Sequence, residues 1–273
     1  MPDRYAVIGN PIAHSKSPLI HAAFARQTGA DLSYTAILAQ QDAFETEVLR
    51  FRGAGGLGLN VTLPFKHRAF ALAQERSDRA SQALAVNTLA FRESVIFGDN
   101  TDGVGLVRDL RANLGRALRG RRILLMGAGG AAYGVCGALL EEHPAALVVA
   151  NRTAEKARTL CEHLSNTTGG AGVLSASSYE GLAGGEFDLV VNATSAGLGN
   201  AMPALPGGVF ARGALGYEML YGRSTPFLEF AQREGAQVAD GLGMLVEQAA
   251  ESFYVWRGVR PETAPVIALL RTM

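Results

Sequence analysis

Short apolar runs alternate with amphipathic stretches along the first hundred residues. Tyr5 to Gly9, Ser33 to Leu38 and Leu57 to Val61 are rich in β-branched, aromatic and aliphatic residues and predict strands, with Thr88 to Phe91 and Val95 to Phe97 following later. Between them, Pro18 to Gln27 and Asp42 to Arg52 carry apolar residues at helical spacing and predict helices. Alternation of this kind predicts a parallel sheet with helices on its faces.

The stretch from Arg121 to Val135 organises the second half. Ile123, Leu124, Leu125 and Met126 predict a buried strand that runs into a glycine turn and then opens a helix. Gly127, Gly129 and the small Ala132 fall on the spacing of a dinucleotide-binding turn, with Gly130 as a further residue lacking a side chain. Each small residue answers a need: a tight turn, backbone N–H groups close to a pyrophosphate, and close contact between helix and strand. The helix N-terminus adds partial positive charge.

A second strand, Ala146 to Ala150, ends where the adenosine ribose is expected. An NAD enzyme places a carboxylate there, whereas this chain has Asn151, Arg152 and Thr153. A guanidinium and a hydroxyl suit a 2′-phosphate, which a carboxylate would repel, so the predicted cofactor is NADP. Lys156, one helical turn on, is a further candidate for the same cluster. Taken alone, Arg152 also fits a solvated strand end. Further strands are predicted at Val173 to Ser175, Phe187 to Asn192 and Leu215 to Met219, with a helix at Pro226 to Arg233 and a surface loop at Ser165 to Gly172. From Leu242 to Trp256 an apolar helix is expected to return to the first domain.

Composition narrows the function classes. A chain of 273 residues, 48% hydrophobic, can form two domains with separate cores. With 25 basic and 25 acidic residues it has no net field to draw in nucleic acid or an anionic membrane, so a small molecule is the expected partner. Cys136 and Cys161 lack metal-ligand spacing and are too few for a disulfide framework, which points to a reducing compartment and no metal. No apolar run has membrane-spanning length, and a soluble, cytoplasmic protein is expected, monomeric or homodimeric.

Polar residues collect in the loops of the first half. In N-P-I-A-H-S-K-S-P, Asn10 to Pro18, Ser17 followed by Pro18 predicts a helix start with the serine as N-cap and proline at N1. The same segment, with Ser15 and Lys16, also offers donors to a carboxylate. N-V-T-L-P-F-K, Asn60 to Lys66, follows a strand and ends on a lysine that is either a solvated charge or a catalytic group. A-V-N-T, Ala85 to Thr88, and G-D-N-T-D-G, Gly98 to Gly103, add amides, hydroxyls and Asp102 at strand ends, where open α/β sheets place their ligands. Asp102 fits equally a turn or helix-capping role.

With these motifs in order, nearly the whole chain resembles the shikimate dehydrogenase family, NADP-dependent enzymes of aromatic amino acid biosynthesis. The resemblance rests on S-K-S, N-V-T-x-P-F-K, A-V-N-T, N-T-D-G, G-A-G-G-A, N-R-T, N-A-T-S-x-G and D-G-L-G-M-L-V-x-Q-A. It implies that Lys66 and Asp102 form the catalytic pair, that Ser15 and Ser17 hold the substrate carboxylate, and that Thr62, Asn87 and Gln248 bind ring hydroxyls, with Asn60 and Tyr221 lining the same pocket. It implies cofactor contacts from Gly127, Ala128, Gly129, Gly130, Ala131, Asn151, Arg152, Thr153, Lys156 and Thr194, with the nicotinamide near Met219 and Gly241, between two domains whose closure gates the reaction. The implied fold is α/β: a substrate domain of residues 1–103 and 242–273, joined to a Rossmann-type NADP-binding domain of residues 104–241, the C-terminal helices returning to the substrate domain.

Leu84, where relatives commonly have glycine, and Glu218, where they often have aspartate, depart from the pattern, and Tyr133 falls at a variable position. The implied reaction moves a hydride between substrate and nicotinamide while Lys66 exchanges the hydroxyl proton and Asp102 orients it. Two alternatives stay open: a quinate/shikimate dehydrogenase with relaxed cofactor use, against which Arg152 and Thr153 argue, and a non-catalytic metabolite sensor, against which the Lys66 and Asp102 pair argues.

Overall fold

A computed structural model of the chain describes residues 1–168, 172–199 and 201–273, in two compact units: residues 1–105 with 245–273, and residues 106–244. In the first unit β1 (Asp3–Gly9), buried from Tyr5 onward, is flanked by β2 (Leu32–Leu38) and β3 (Gly56–Val61), both parallel to it. Helices α1 (Ser17–Thr28) and α2 (Phe44–Gly53) make the two crossovers. Then follow α3 (Lys66–Leu72), β4 (Glu75–Arg76), α4 (Asp78–Ala83), β5 (Thr88–Arg92) and β6 (Val95–Asp99), and the sheet order is β2-β1-β3-β5-β6-β4.

The sheet is mixed where a parallel one was expected: β5 runs antiparallel to both β3 and β6. Only Glu93 and Ser94 separate β5 from β6, which leaves room for a tight hairpin and none for a crossover helix. This inversion has a consequence for chemistry, because β3 and β6 then point the same way while β5 starts where they end.

The chain enters the second unit through α5 (Asp102–Arg108) and a π-helical turn at Asp109–Asn113. There β7 (Arg122–Met126), α6 (Gly130–Glu141), β8 (Ala146–Ala150), α7 (Ala154–Thr168), β9 (Leu174–Ser177), β10 (Phe187–Asn192), β11 (Phe210–Glu218), α8 (Pro226–Arg233) and β12 (Gln237–Asp240) build a fully parallel sheet in the order β12-β11-β10-β7-β8-β9. This is the doubly wound arrangement, with its switch point between β7 and β10. Its central strand β7 is apolar from Ile123 to Met126 because both faces are covered: Ile123 and Leu125 join one core cluster, Leu124 and Met126 the other.

Helices α9 (Leu242–Arg257) and α10 (Ala264–Arg271) close the chain, and from Leu245 they belong to the first unit, as the apolar run from Leu242 predicts. The predicted surface loop at 165–172 is in fact helical as far as Thr168, since α7 buries Leu160 and Leu164 against the β8 side and carries its polar face through that serine- and threonine-rich segment; residues 169–171 lie outside the described residues. Among the described residues no helix is long and apolar enough to cross a membrane.

Candidate functional site

The strand directions bring three loops of the first unit to one edge. Lys66 opens α3 just beyond the end of β3, Asp102 opens α5 just beyond the end of β6, and Asn87 immediately precedes β5. Backbone bonds fix them: Val61 N–H donates to the Asn87 carbonyl at 2.8 Å, and Asn87 N–H to the Asp99 carbonyl at 3.0 Å.

Lys66 Nζ donates to Asp102 Oδ2 at 2.5 Å, while Asn87 Nδ2 donates to Asp102 Oδ1 at 2.8 Å and to Thr101 Oγ1 at 2.9 Å. Asn87 Oδ1 accepts from Thr101 N–H at 2.9 Å and Thr88 Oγ1 at 2.8 Å, so its amide orientation is set from both ends. Gln248 on α9 is within reach as well, its Oε1 lying 3.3 Å from Asn87 Nδ2. Asp102 is not the cap of its helix: Asn100 Oδ1 accepts the Asp102 N–H at 3.1 Å, which leaves the carboxylate to Lys66 and Asn87. An ion pair this enclosed, with 21% and 10% of the two side chains exposed, holds its geometry better than a surface pair.

Ser17 does not take the capping role expected of it. The helix begins at Ser17 with Lys16 in the cap position, and the Ser17 N–H donates to Ser15 Oγ at 3.3 Å. Ser17 therefore is not the N-cap; it is a buried first-turn residue, and Pro18 follows it in the first turn. Thr62, half-buried beyond β3, has a hydroxyl with no hydrogen bond among the described residues. Asn60 is buried, its Oδ1 accepting from the Tyr34 hydroxyl at 2.7 Å and its Nδ2 donating to Ser252 Oγ at 2.9 Å. Tyr221 falls in the other unit, half-buried after β11.

In the second unit the expected cofactor residues gather at the carboxyl ends of the parallel strands. Gly127, at φ 103°, makes a turn that only glycine takes without strain, and a Cβ there would meet the Ala193 carbonyl after β10 at 3.1 Å. Gly129 caps α6 through backbone alone, with no side-chain cap, and Ala132 is fully buried. Ala128, Gly130 and Ala131 complete the turn and the first residues of the helix. Asn151, Arg152 and Thr153 follow β8; Asn151 Nδ2 donates to the Thr153 carbonyl at 2.9 Å. Arg152, just after β8, and Lys156, in the first turns of α7, are exposed and form no hydrogen bond or ion pair among the described residues. Thr194 Oγ1 donates to Asn192 Oδ1 at 2.7 Å after β10. Gly241 lies against Met219, whose carbonyl oxygen would clash with a Cβ at that position.

Three family models match successive parts of the chain: the shikimate dehydrogenase substrate binding domain over residues 7–89, shikimate / quinate 5-dehydrogenase over 109–198, and the shikimate 5'-dehydrogenase C-terminal domain over 241–271. The shikimate dehydrogenase (NADP(+)) of Nitrosospira multiformis is 61% identical across 100% of this chain and 98% of its own length. The chain belongs to the shikimate dehydrogenase family. Among solved structures, the shikimate 5-dehydrogenase of Thermus thermophilus in complex with NADP(H) and shikimate is 34% identical, covers 99% of this chain and 99% of its own, and has a TM-score of 0.87. An Ael1 enzyme from Pseudomonas putida is 52% identical, covers 98% of each chain, and has a TM-score of 0.93.

Two positions where this member departs from the common pattern have plain structural roles. Leu84 closes α4 at φ 49°, ψ 28°, in the left-handed region that glycine takes freely. Glu218 is fully buried at the end of β11 and accepts from Asn192 Nδ2 at 2.7 Å, Thr225 Oγ1 at 3.0 Å and the Leu220 N–H at 3.2 Å. Burial raises its carboxyl above the usual range, with those donors pulling the other way.

Sequence reasoning missed the residues that brace the G-D-N-T-D-G loop. Arg79 grips Asp99 with two bonds, at 2.7 and 2.6 Å, and reaches Glu251 on α9 at 3.0 Å. Burial pulls the Asp99 carboxyl up, but Arg79, Ser77 and the Asn100 N–H outweigh it and hold the group below its usual value. Ser252 was missed too, although its Oγ meets Asn60, Thr88 and Thr101. Its only sequence signal was its place one helical turn after Gln248, facing the same way.

Proposed function

We propose that the protein interconverts shikimate and 3-dehydroshikimate with NADP(H), a step of aromatic amino acid biosynthesis. The observation that carries this reading is the Lys66–Asp102 pair, enclosed and oriented by Asn87. A module that only bound its ligand would gain nothing from an amine held against a carboxylate in this way. The unit of residues 106–244 would take the cofactor and the other unit the substrate. The residues present suit NADP: a backbone-only helix start after Gly127 for the pyrophosphate, and the unpaired Arg152 and Lys156, without a carboxylate at the end of β8, for the 2′-phosphate.

When bound, the nicotinamide supplies the hydride acceptor or donor. In the reducing direction the Lys66 ammonium gives a proton to the carbonyl oxygen; in the oxidising direction its neutral amine takes one from the hydroxyl. Asp102 fixes the position of the lysine, and Asn87 fixes Asp102. Ser15 and Ser17 would hold the carboxylate, with Thr62, Asn60 and Gln248 around the ring. The two buried, unpaired thiols Cys136 and Cys161 support a reducing, cytoplasmic setting.

The test follows nicotinamide absorbance with shikimate and with quinate, each offered with NADP and with NAD. Shikimate with NADP should give the highest kcat/KM. No turnover in any combination would overturn the reading, and equal rates with quinate or NAD would move it to a quinate/shikimate enzyme.

A further inference from the structure

Tyr34 is half-buried on the edge strand β2, with its hydroxyl turned inward. That hydroxyl donates to Asn60 Oδ1 at 2.7 Å, and the Ser17 hydroxyl is its other polar neighbour. On the far end of the same amide, Asn60 Nδ2 donates to Ser252 Oγ at 2.9 Å and lies 3.3 Å from both Thr88 Oγ1 and the Asn87 carbonyl. An amide gripped by a donor at its oxygen and by acceptors at its nitrogen has one orientation only. Burial keeps the phenol protonated, raised well above its usual value against the pull of Ser17, so it stays a donor across the working pH range.

The ring is fixed as firmly as its hydroxyl. His21, fully buried on α1 and one turn after Ser17, lies parallel to Tyr34, with centroids 4.1 Å apart and planes 7° from parallel. Neither His21 ring nitrogen makes a hydrogen bond of good geometry among the described residues; the Asn60 side chain is the polar group that acts on the imidazole, which meets Tyr34 through its face and does not compete for the hydroxyl.

We infer that Tyr34 is a positioning residue for the substrate pocket: by holding the Asn60 amide from one side and facing Ser17 from the other, it keeps the ring-binding and carboxylate-binding groups in register. The inference rests on the substrate reading given above for Asn60 and Ser17. A ligand bound at both ends is sensitive to the spacing of the groups that hold it, so loss of the shared anchor should appear in substrate affinity before it appears in turnover.

The experiment measures KM for shikimate, KM for NADP, kcat and Tm for the wild type, Tyr34→Phe, Asn60→Ala and the double variant. Tyr34→Phe keeps the stacked ring and removes one hydrogen-bonding group, so KM for shikimate should rise roughly three- to tenfold, with kcat falling less and KM for NADP unchanged. In the double variant the KM should fall short of the product of the single effects by at least about twofold, because the residues act through one contact. Should Asn60→Ala not fold, Ser17→Ala provides the second background, with the same shortfall expected. A lowered Tm with unchanged KM would make Tyr34 structural and overturn the inference, and so would strictly multiplicative effects. Wild-type turnover of shikimate and a raised KM in Ser17→Ala test the underlying reading separately. If they fail, both fall; if they hold while Tyr34→Phe leaves KM unchanged, only the assignment of Tyr34 falls.

Discussion

Lys66 and Asp102 form one unit with its two halves on different loops: Lys66 Nζ donates to Asp102 Oδ2 at 2.5 Å, and the other carboxylate oxygen is taken by Asn87. Lys66→Ala should lower kcat by about two to four powers of ten, the usual share of a positioned acid–base group, while NADPH binding measured by fluorescence titration stays near wild type. Asp102→Asn should also lose turnover, because one end of the introduced amide is an NH2 that must face either Lys66 or Asn87, both donors. The double variant should lose less than the product of the singles. Near-normal turnover in Lys66→Ala would remove the lysine from the mechanism.

Arg152 is exposed and forms no hydrogen bond or ion pair within the protein among the described residues, so its replacement should disturb the fold little. Arg152→Ala removes a charge-assisted phosphate contact worth roughly 1.5 to 3 kcal/mol, and KM for NADP should rise by about one to two powers of ten. KM for NAD should barely move. Equal weakening toward both cofactors would show a structural role.

The parallel sheet of the second unit was legible because its strands are buried on both faces and therefore read as unbroken apolar runs, as Ile123 to Met126 does. The glycine turn was legible for a related reason: Gly127 at φ 103° leaves little choice of residue. The mixed sheet of the first unit was not foreseen, since Thr88 to Phe91 and Val95 to Phe97 read as strands without stating their direction, and the hairpin at Glu93 and Ser94 lacks the usual glycine or asparagine. Helices α3 and α4 are too short for a clear period, so Lys66 gave no sign that it opens a helix. The Ser17 cap was misplaced by one residue because Ser15 offers a second hydroxyl in the same segment. Long-range partners such as Arg79 with Asp99, or Tyr34 with Asn60, leave no local trace in the sequence.

Leu84 gives a prediction about stability. A leucine in the left-handed region carries strain of roughly 1 to 2 kcal/mol, while glycine there adds about 0.5 to 1 kcal/mol of backbone entropy to the unfolded chain. The residue is only 37% exposed, so removing the side chain also gives up the burial of the rest, worth roughly 1 to 2 kcal/mol. With the entropy of glycine this outweighs the relief of strain, and Leu84→Gly should lower Tm by about 1 to 3 °C in differential scanning calorimetry, with KM for shikimate unchanged. A higher Tm would mean that the backbone strain costs more than the side-chain contacts contribute.

His21 gives the pH dependence. Burial pushes its pKa down to about 3, with the Asn60 side chain pulling weakly upward, so the native protein keeps the ring neutral where the unfolded chain protonates it. A histidine with a depressed folded value contributes fully to stability above about 6.5 and loses that contribution as pH falls, because the unfolded state then binds the extra proton. Between pH 7 and pH 5 this one group should remove about 2 kcal/mol from the free energy of unfolding. His21→Phe keeps an aromatic face against Tyr34 and deletes the titration. Urea unfolding of both proteins at pH 7 and pH 5 should show the wild type losing about 2 kcal/mol more than the variant over that interval. An equal loss in the two proteins would mean that the buried ring takes up its proton without opening the structure, and the acid sensitivity would then have to come from the paired carboxylates, of which Asp99, held below its usual value, would be the first to examine.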